Sequence, residues 1–183
     1  MPESVLAEGV NQFTDKMRQG AYKEAAKIRD KYSLPDDLLQ SAVKEAFEKN
    51  MINGEYSIAA DLGKKYNLPA ELTREAAIRS FRRKIDSQFF KAAAEYAREF
   101  NLPEDVVREA ATQAFNQSMQ FGLIKNAAEI AEDFDLPPDM KRAAAEKSFQ
   151  QHMDAGLYRK AWKIAQKYEL PEEMAEQARR KIS

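Results

Sequence analysis

The dipeptide Leu-Pro recurs at Leu34-Pro35, Leu68-Pro69, Leu102-Pro103, Leu136-Pro137 and Leu170-Pro171, always 34 residues apart. A period of this length marks stacked supersecondary units, each of which buries its apolar face only against its neighbours. The chain is therefore a tandem array before it is anything else. Architecture follows from that, but function does not, because one scaffold carries many unrelated binding activities.

Aligning the chain on this period gives columns. One is alanine throughout (Ala25, Ala59, Ala93, Ala127, Ala161), followed by an aromatic column (Tyr32, Tyr66, Phe100, Phe134, Tyr168) just before Leu-Pro. A second alanine column (Ala42, Ala76, Ala110, Ala144, Ala178) precedes a phenylalanine column (Phe13, Phe47, Phe81, Phe115, Phe149). Leu38, Ala42, Ala46, Phe47 and Met51 form the stripe of an amphipathic helix over about residues 36–53. Tyr56, Ala59, Ala60, Leu62 and Tyr66 form a shorter one over about 55–67. No segment alternates with period two, so no strand is expected. The reading is an all-α solenoid of five 34-residue helical hairpins plus a C-terminal capping helix, one domain over residues 1–183. Its first helix covers about 3–19 and its last about 172–182, with Ser183 at the phenylalanine column.

The punctuation fits helices. Gly54, Gly122 and Gly156 stand where the long helix must stop, since glycine takes the left-handed backbone without steric cost. Ser33, Asn67, Asn101 and Asp135 precede the prolines by two residues and suit N-caps, the alternative cap being the following residue of the Leu34 type. Asp37, Glu71, Asp105, Asp139 and Glu173 follow in the first turn, where the helix dipole favours negative charge.

The period, together with Gly54-Glu55-Tyr56 and Ala59 at the turn into the short helix, resembles the tetratricopeptide-like superfamily of helical-hairpin repeats. That resemblance implies a right-handed superhelix whose long helices line a concave groove for peptide or protein partners. The family's Trp-Leu-Gly-Tyr pattern is absent, and the glycine and proline stand closer together than the family sets them. No binding residue is carried over. A pentatricopeptide reading, which would imply single-stranded RNA, departs further in spacing.

Composition removes other classes. The chain has 29 basic and 30 acidic residues and a net charge of −1, giving no global pull toward nucleic acid or a membrane. There is no cysteine and only one histidine, His152, so thiol chemistry and multi-histidine metal sites are excluded. His152 aligns with Asn50, Lys84 and Ser118 and reads as a surface residue. No apolar run suits a bilayer span and no basic-then-apolar leader opens the chain, so a cytoplasmic location is expected. No convergent acid, base and nucleophile cluster is visible, so the chain is read as non-enzymatic, with no cofactor and no metal.

What varies between repeats is the exposed columns. Arg74, Arg108 and Arg142 share one, each three residues after an acid with which an intrahelical pair is expected. Ile78 replaces polar residues in the next, and Arg82 follows. Arg74, Ile78, Arg82, Arg108 and Arg142 are thus the candidate groove residues, suited to an acidic protein or peptide with an apolar anchor. Phe89 and Phe121, with Leu123 and Leu157, form a candidate apolar rim, unless each residue after the glycine folds back onto the last helical turn. Trp162, in a column otherwise alanine, is expected to fill space beside the terminal helix. Two alternatives stand beside the protein-interaction scaffold. One is a single-stranded nucleic-acid-binding repeat using Arg74, Arg79, Arg82, Arg83 and Arg108 with Phe89 as a stacking platform. The other is a repeat protein designed to stack, with no partner.

Overall fold

A computed structural model describes residues 3–182, which form eleven helices and no strand. They are α1 Glu3–Arg18, α2 Tyr22–Tyr32, α3 Asp36–Ile52, α4 Tyr56–Lys65, α5 Ala70–Asp86, α6 Phe90–Glu99, α7 Glu104–Gln120, α8 Ile124–Asp133, α9 Pro138–Asp154, α10 Tyr158–Lys167 and α11 Glu172–Ile182. Long and short helices alternate as the columns require. In α3 the buried side chains are Leu39, Ala42, Val43, Ala46, Phe47 and Asn50, one stripe at three- and four-residue spacing. Ser183 lies outside the described residues.

Every turn from a long helix into a short one uses the same device. Gly20, Gly54, Gly122 and Gly156 adopt φ between 70° and 75°. At Gly54 the N–H reaches the Met51 carbonyl at 3.3 Å, and Glu55 N–H reaches that of Asn50 at 2.8 Å, the paired bonds of a Schellman cap. Gln88 holds the same left-handed conformation (φ 60°) with the same two bonds, carrying the steric cost that glycine avoids.

The turns before the long helices correct the expected caps. Ser33, Asn67, Asn101 and Asp135 cap no N-terminus. They sit at φ 46° to 53° and close the preceding short helix, as does Glu169. Asn101 N–H bonds the Arg98 carbonyl at 3.2 Å, and Leu102 N–H that of Ala97 at 2.8 Å. The N-cap position falls on the proline itself at Pro35, Pro103 and Pro137, without a side-chain cap bond. The residue types that cap an N-terminus also tolerate the left-handed conformation, so the letters alone could not separate the two roles.

The chain divides into two compact units, Met1–Arg83 and Lys84–Ser183. In the first, α1 packs on α2 and α3, and α3 on α4. Phe13, Met17, Leu39, Val43 and Tyr66 are its large buried side chains. Helices approach closely through small residues: a Cβ at Gly9 would lie 2.8 Å from the Tyr32 ring, and one at Gly63 would collide with the Thr73 hydroxyl. The Tyr66 ring meets the edge of Phe13 at 5.8 Å and lies 5.5 Å from the Arg29 guanidinium. Its hydroxyl is buried without a hydrogen-bond partner, and burial pushes its pKa up against the opposing pull of Arg29.

In the second unit each of α6 to α10 packs on its successor. Alanine pairs line the contacts: Ala93 and Ala94, Ala110 and Ala111, Ala144 and Ala145 are all buried. At the C-terminal end Phe149, Ala161, Ala165, Leu170 and Ala178 form one cluster, and Trp162 packs against it beside α11.

Candidate functional site

Arg74, Ile78 and Arg82 follow one another at one-turn spacing along α5 in the first unit. Arg74 and Arg82 are exposed, and neither has an ion pair among the described residues. Ile78 is half-buried rather than exposed, because it borders the stripe of Ala76, Ala77 and Ser80 that faces inward. Arg108 on α7 and Arg142 on α9 are exposed too, and both belong to the second unit. The expected pairing with the acid three residues earlier does not form. Arg108 turns instead to Glu104, four residues back, at 3.8 Å, and Arg142 has no ion pair among the described residues.

Beside the α5 row lies a groove that the column reading did not single out. Phe47, Glu48, Met51 and Ile52 of α3 form one wall, and Glu75 and Arg79 of α5 the other. Phe47 is its buried floor, whereas Ile52 is 86% exposed. Arg79 donates to Glu75 at 2.6 Å and lies 5.7 Å from the centroid of the Tyr56 ring. Its guanidinium is held charged, first by the Tyr56 hydroxyl and then by Glu75. The sequence did carry a signal here: Ile52 stands in a column otherwise occupied by Arg18, Asp86, Gln120 and Asp154.

Two of the arginines offered for nucleic-acid binding are engaged inside the protein. Arg79 is tied to Glu75, and Arg83 donates to the Gly54 carbonyl at 2.8 Å, satisfying the end of α3. The four rim residues do not fold back: Phe89, Phe121, Leu123 and Leu157 are 65%, 66%, 55% and 44% exposed.

The His152 column faces inward, not outward. Asn50 is buried and donates to the Tyr22 hydroxyl at 2.6 Å and to the Ala46 carbonyl at 2.7 Å. Ser118 is buried and accepts from Asn126 at 2.9 Å. His152 is half-buried, with Nδ1 2.7 Å from the Ser148 carbonyl. The helix periodicity places this column on the inner face, and its polar letters are satisfied locally.

On the Leu-Pro side of the second unit, Glu132 accepts from the Tyr168 hydroxyl at 2.6 Å and from Lys167 at 3.1 Å. Those two bonds hold its carboxyl below the usual range, and the same trio pushes Lys167 up. Lys141 likewise holds Asp135 down across 2.6 Å. Among the described residues no three His, Cys, Asp or Glu side chains converge as a metal site, and no helix is long and apolar enough to cross a membrane. No family model, curated protein or solved structure matches the chain.

Proposed function

We propose that the protein is a non-catalytic interaction scaffold, a right-handed α-solenoid of five helical hairpins and a capping helix, whose long helices receive an acidic peptide or helix. The observation that carries this reading is the α3–α5 groove, with Phe47 as its floor and Met51 and Ile52 on its apolar wall, near Arg74 and Arg82, which have no ion pair among the described residues. A large apolar side chain of the partner enters the groove, and its flanking carboxylates meet the two arginines. Arginine beside an apolar pocket is a common binding hot spot. The recurring alanine columns support a passive scaffold, since each hairpin is held by packing on its neighbours while its exposed columns change from repeat to repeat.

Panning a random-peptide library tests the proposal. Enriched sequences are expected to be acidic with a single large apolar residue. Arg74→Glu/Arg82→Glu and, separately, Ile52→Ser should each weaken their binding by tenfold or more, on the order of 1.4 kcal/mol. No enrichment, or binding indifferent to both variants, would refute the assignment.

A further inference from the structure

We infer that the edge of the second unit formed by its glycine-type turns is a peripheral docking edge for a bilayer containing anionic phospholipid. Phe89, Leu123 and Leu157 occupy the N-cap positions of α6, α8 and α10 with nearly one backbone conformation, φ −81° to −88° and ψ 52° to 60°. Consecutive helices in this unit pack on one another across short turns, so alternate turns emerge at opposite ends. The three apolar side chains therefore share an edge with the end of α11. One open hollow there is lined by Leu157, Tyr158, Arg159, Lys160 and Ile182 together.

Two residues beyond each apolar side chain stands a cation: Lys91, Lys125 and Arg159, with Lys160 beside the last. Arg179, Arg180 and Lys181 form the last turn of α11. Carboxylates at this edge are few. Asp86 and Asp154 end α5 and α9, Glu95 stands four residues after Lys91, Glu129 faces Lys125 at 3.6 Å, and Glu176 faces Arg180 at 2.9 Å. Folding does not account for the pattern, because a cation in a first helical turn opposes the helix dipole. Exposed phenylalanine and leucine at turn tips likewise contribute nothing to the core.

The opposite edge is acidic, with Glu104 and Asp105, Asp139, and Glu172 and Glu173 in the first turns of α7, α9 and α11. The 17-residue helices α7 and α9 separate the two edges by about 25 Å. That exceeds the screening length of about 8 Å at physiological salt, so an anionic surface attracts the basic edge without sensing the acidic one. A chain of net charge near zero thereby acquires an oriented, locally cationic end.

The geometry favours a lipid surface over a peptide. The side chains protrude from turn tips instead of lining a groove. They also stand on separate helices, about 10 Å apart or more. Anchors on a partner helix would repeat every ~6 Å, whereas a fluid interface accepts anchors at any spacing, and nearby cations add to the attraction.

Vesicle sedimentation with the full chain tests this. The protein should pellet with phosphatidylserine-containing vesicles, remain in solution with phosphatidylcholine alone, and be released by salt at about 1 M. Lys91→Glu/Lys125→Glu/Arg159→Glu and Phe89→Ser/Leu123→Ser should each lower the bound fraction roughly tenfold or more. Glu104→Gln/Asp105→Asn on the far edge should not lower it. Unchanged helical circular dichroism is required of each variant, and one that fails is replaced by the corresponding single substitutions. Absence of the protein from the phosphatidylserine pellet, or pelleting indifferent to both edge variants, would overturn the proposal. Binding of a soluble acidic amphipathic peptide at this edge without vesicle binding would overturn it equally.

Discussion

The two units are built on one set of columns and differ in what they do with them. In Lys84–Ser183 the contacts run through alanine pairs, and the residue after each long-helix turn is Phe89, Leu123 or Leu157. In Met1–Arg83 the same turn position holds Ala21 or Glu55, and the packing columns carry exceptions such as Gly9 and Gly63. Its most exposed large apolar side chain lies one turn back, at Ile52. The difference teaches that turn tips and helix faces vary independently of the packing columns, so neighbouring units can present unlike surfaces on like frames.

The comparison breaks first if the packing columns are not equivalent. Phe13→Ala and Phe149→Ala remove the same column residue from the two units, both fully buried. Each should cost about 3–5 kcal/mol. Chemical denaturation followed by amide exchange should show protection falling most in α1–α3 for the first and in α9–α11 for the second. Equal loss in all helices for both would mean that the units do not retain separate stabilities.

A second substitution imports one unit's solution into the other. Tyr66→Phe supplies the ring that the second unit carries at Phe100 and Phe134, and it deletes a buried hydroxyl without a partner. The variant should be as stable as the parent or more stable, by about 1–3 kcal/mol, since an unsatisfied buried polar group is removed. A clear loss in a thermal melt would show that the hydroxyl is satisfied in solution.

Gln88→Gly should raise stability by about 1 kcal/mol by relieving the left-handed strain at the one long-helix turn that lacks glycine. Gly156→Ala should lower it by a similar amount, and the pair measured together tests whether the two turns are energetically alike.

The smallest effect is electrostatic. Glu132 has a depressed pKa when folded, so its contribution is fully present above the ordinary glutamate value of about 4.3 and is lost as pH falls through the lower folded value. Lys167, raised by the same contacts, contributes below its ordinary value and loses that as pH rises through the folded one. Because the pair is largely exposed, Glu132→Gln should cost only about 0.2–1 kcal/mol at neutral pH, with the difference from the parent shrinking in acid. A difference that grows in acid would contradict the assignment.

The period, the alternation of long and short helices and most helix bounds were legible because they rest on repeated apolar spacing; α3 ends one residue from the expected point. Roles shared by one letter were not legible. Asn101 and Asp135 suit an N-cap and a left-handed C-terminal position alike, and only the backbone decides. Lys84, Ser118 and His152 look like surface letters, yet their column faces inward. The groove at Ile52 and the basic edge at Lys91, Lys125 and Arg159 were both present as columns. The first was hidden by a single exception, and the second by averaging charge over the chain.

The near-identity of the turns has a genealogical consequence. Backbone angles at Phe89, Leu123 and Leu157 agree within a few degrees, and the short-helix turns at Asn101, Asp135 and Glu169 agree as closely in φ. Excising one period between two such turns, for instance joining Gln88 directly to Leu123, would bring together ends of matching geometry. The excised chain would keep its reading frame and every remaining cap. Recombination between repeats could therefore lengthen or shorten the array by whole modules, changing how many side chains it displays without inventing a new junction.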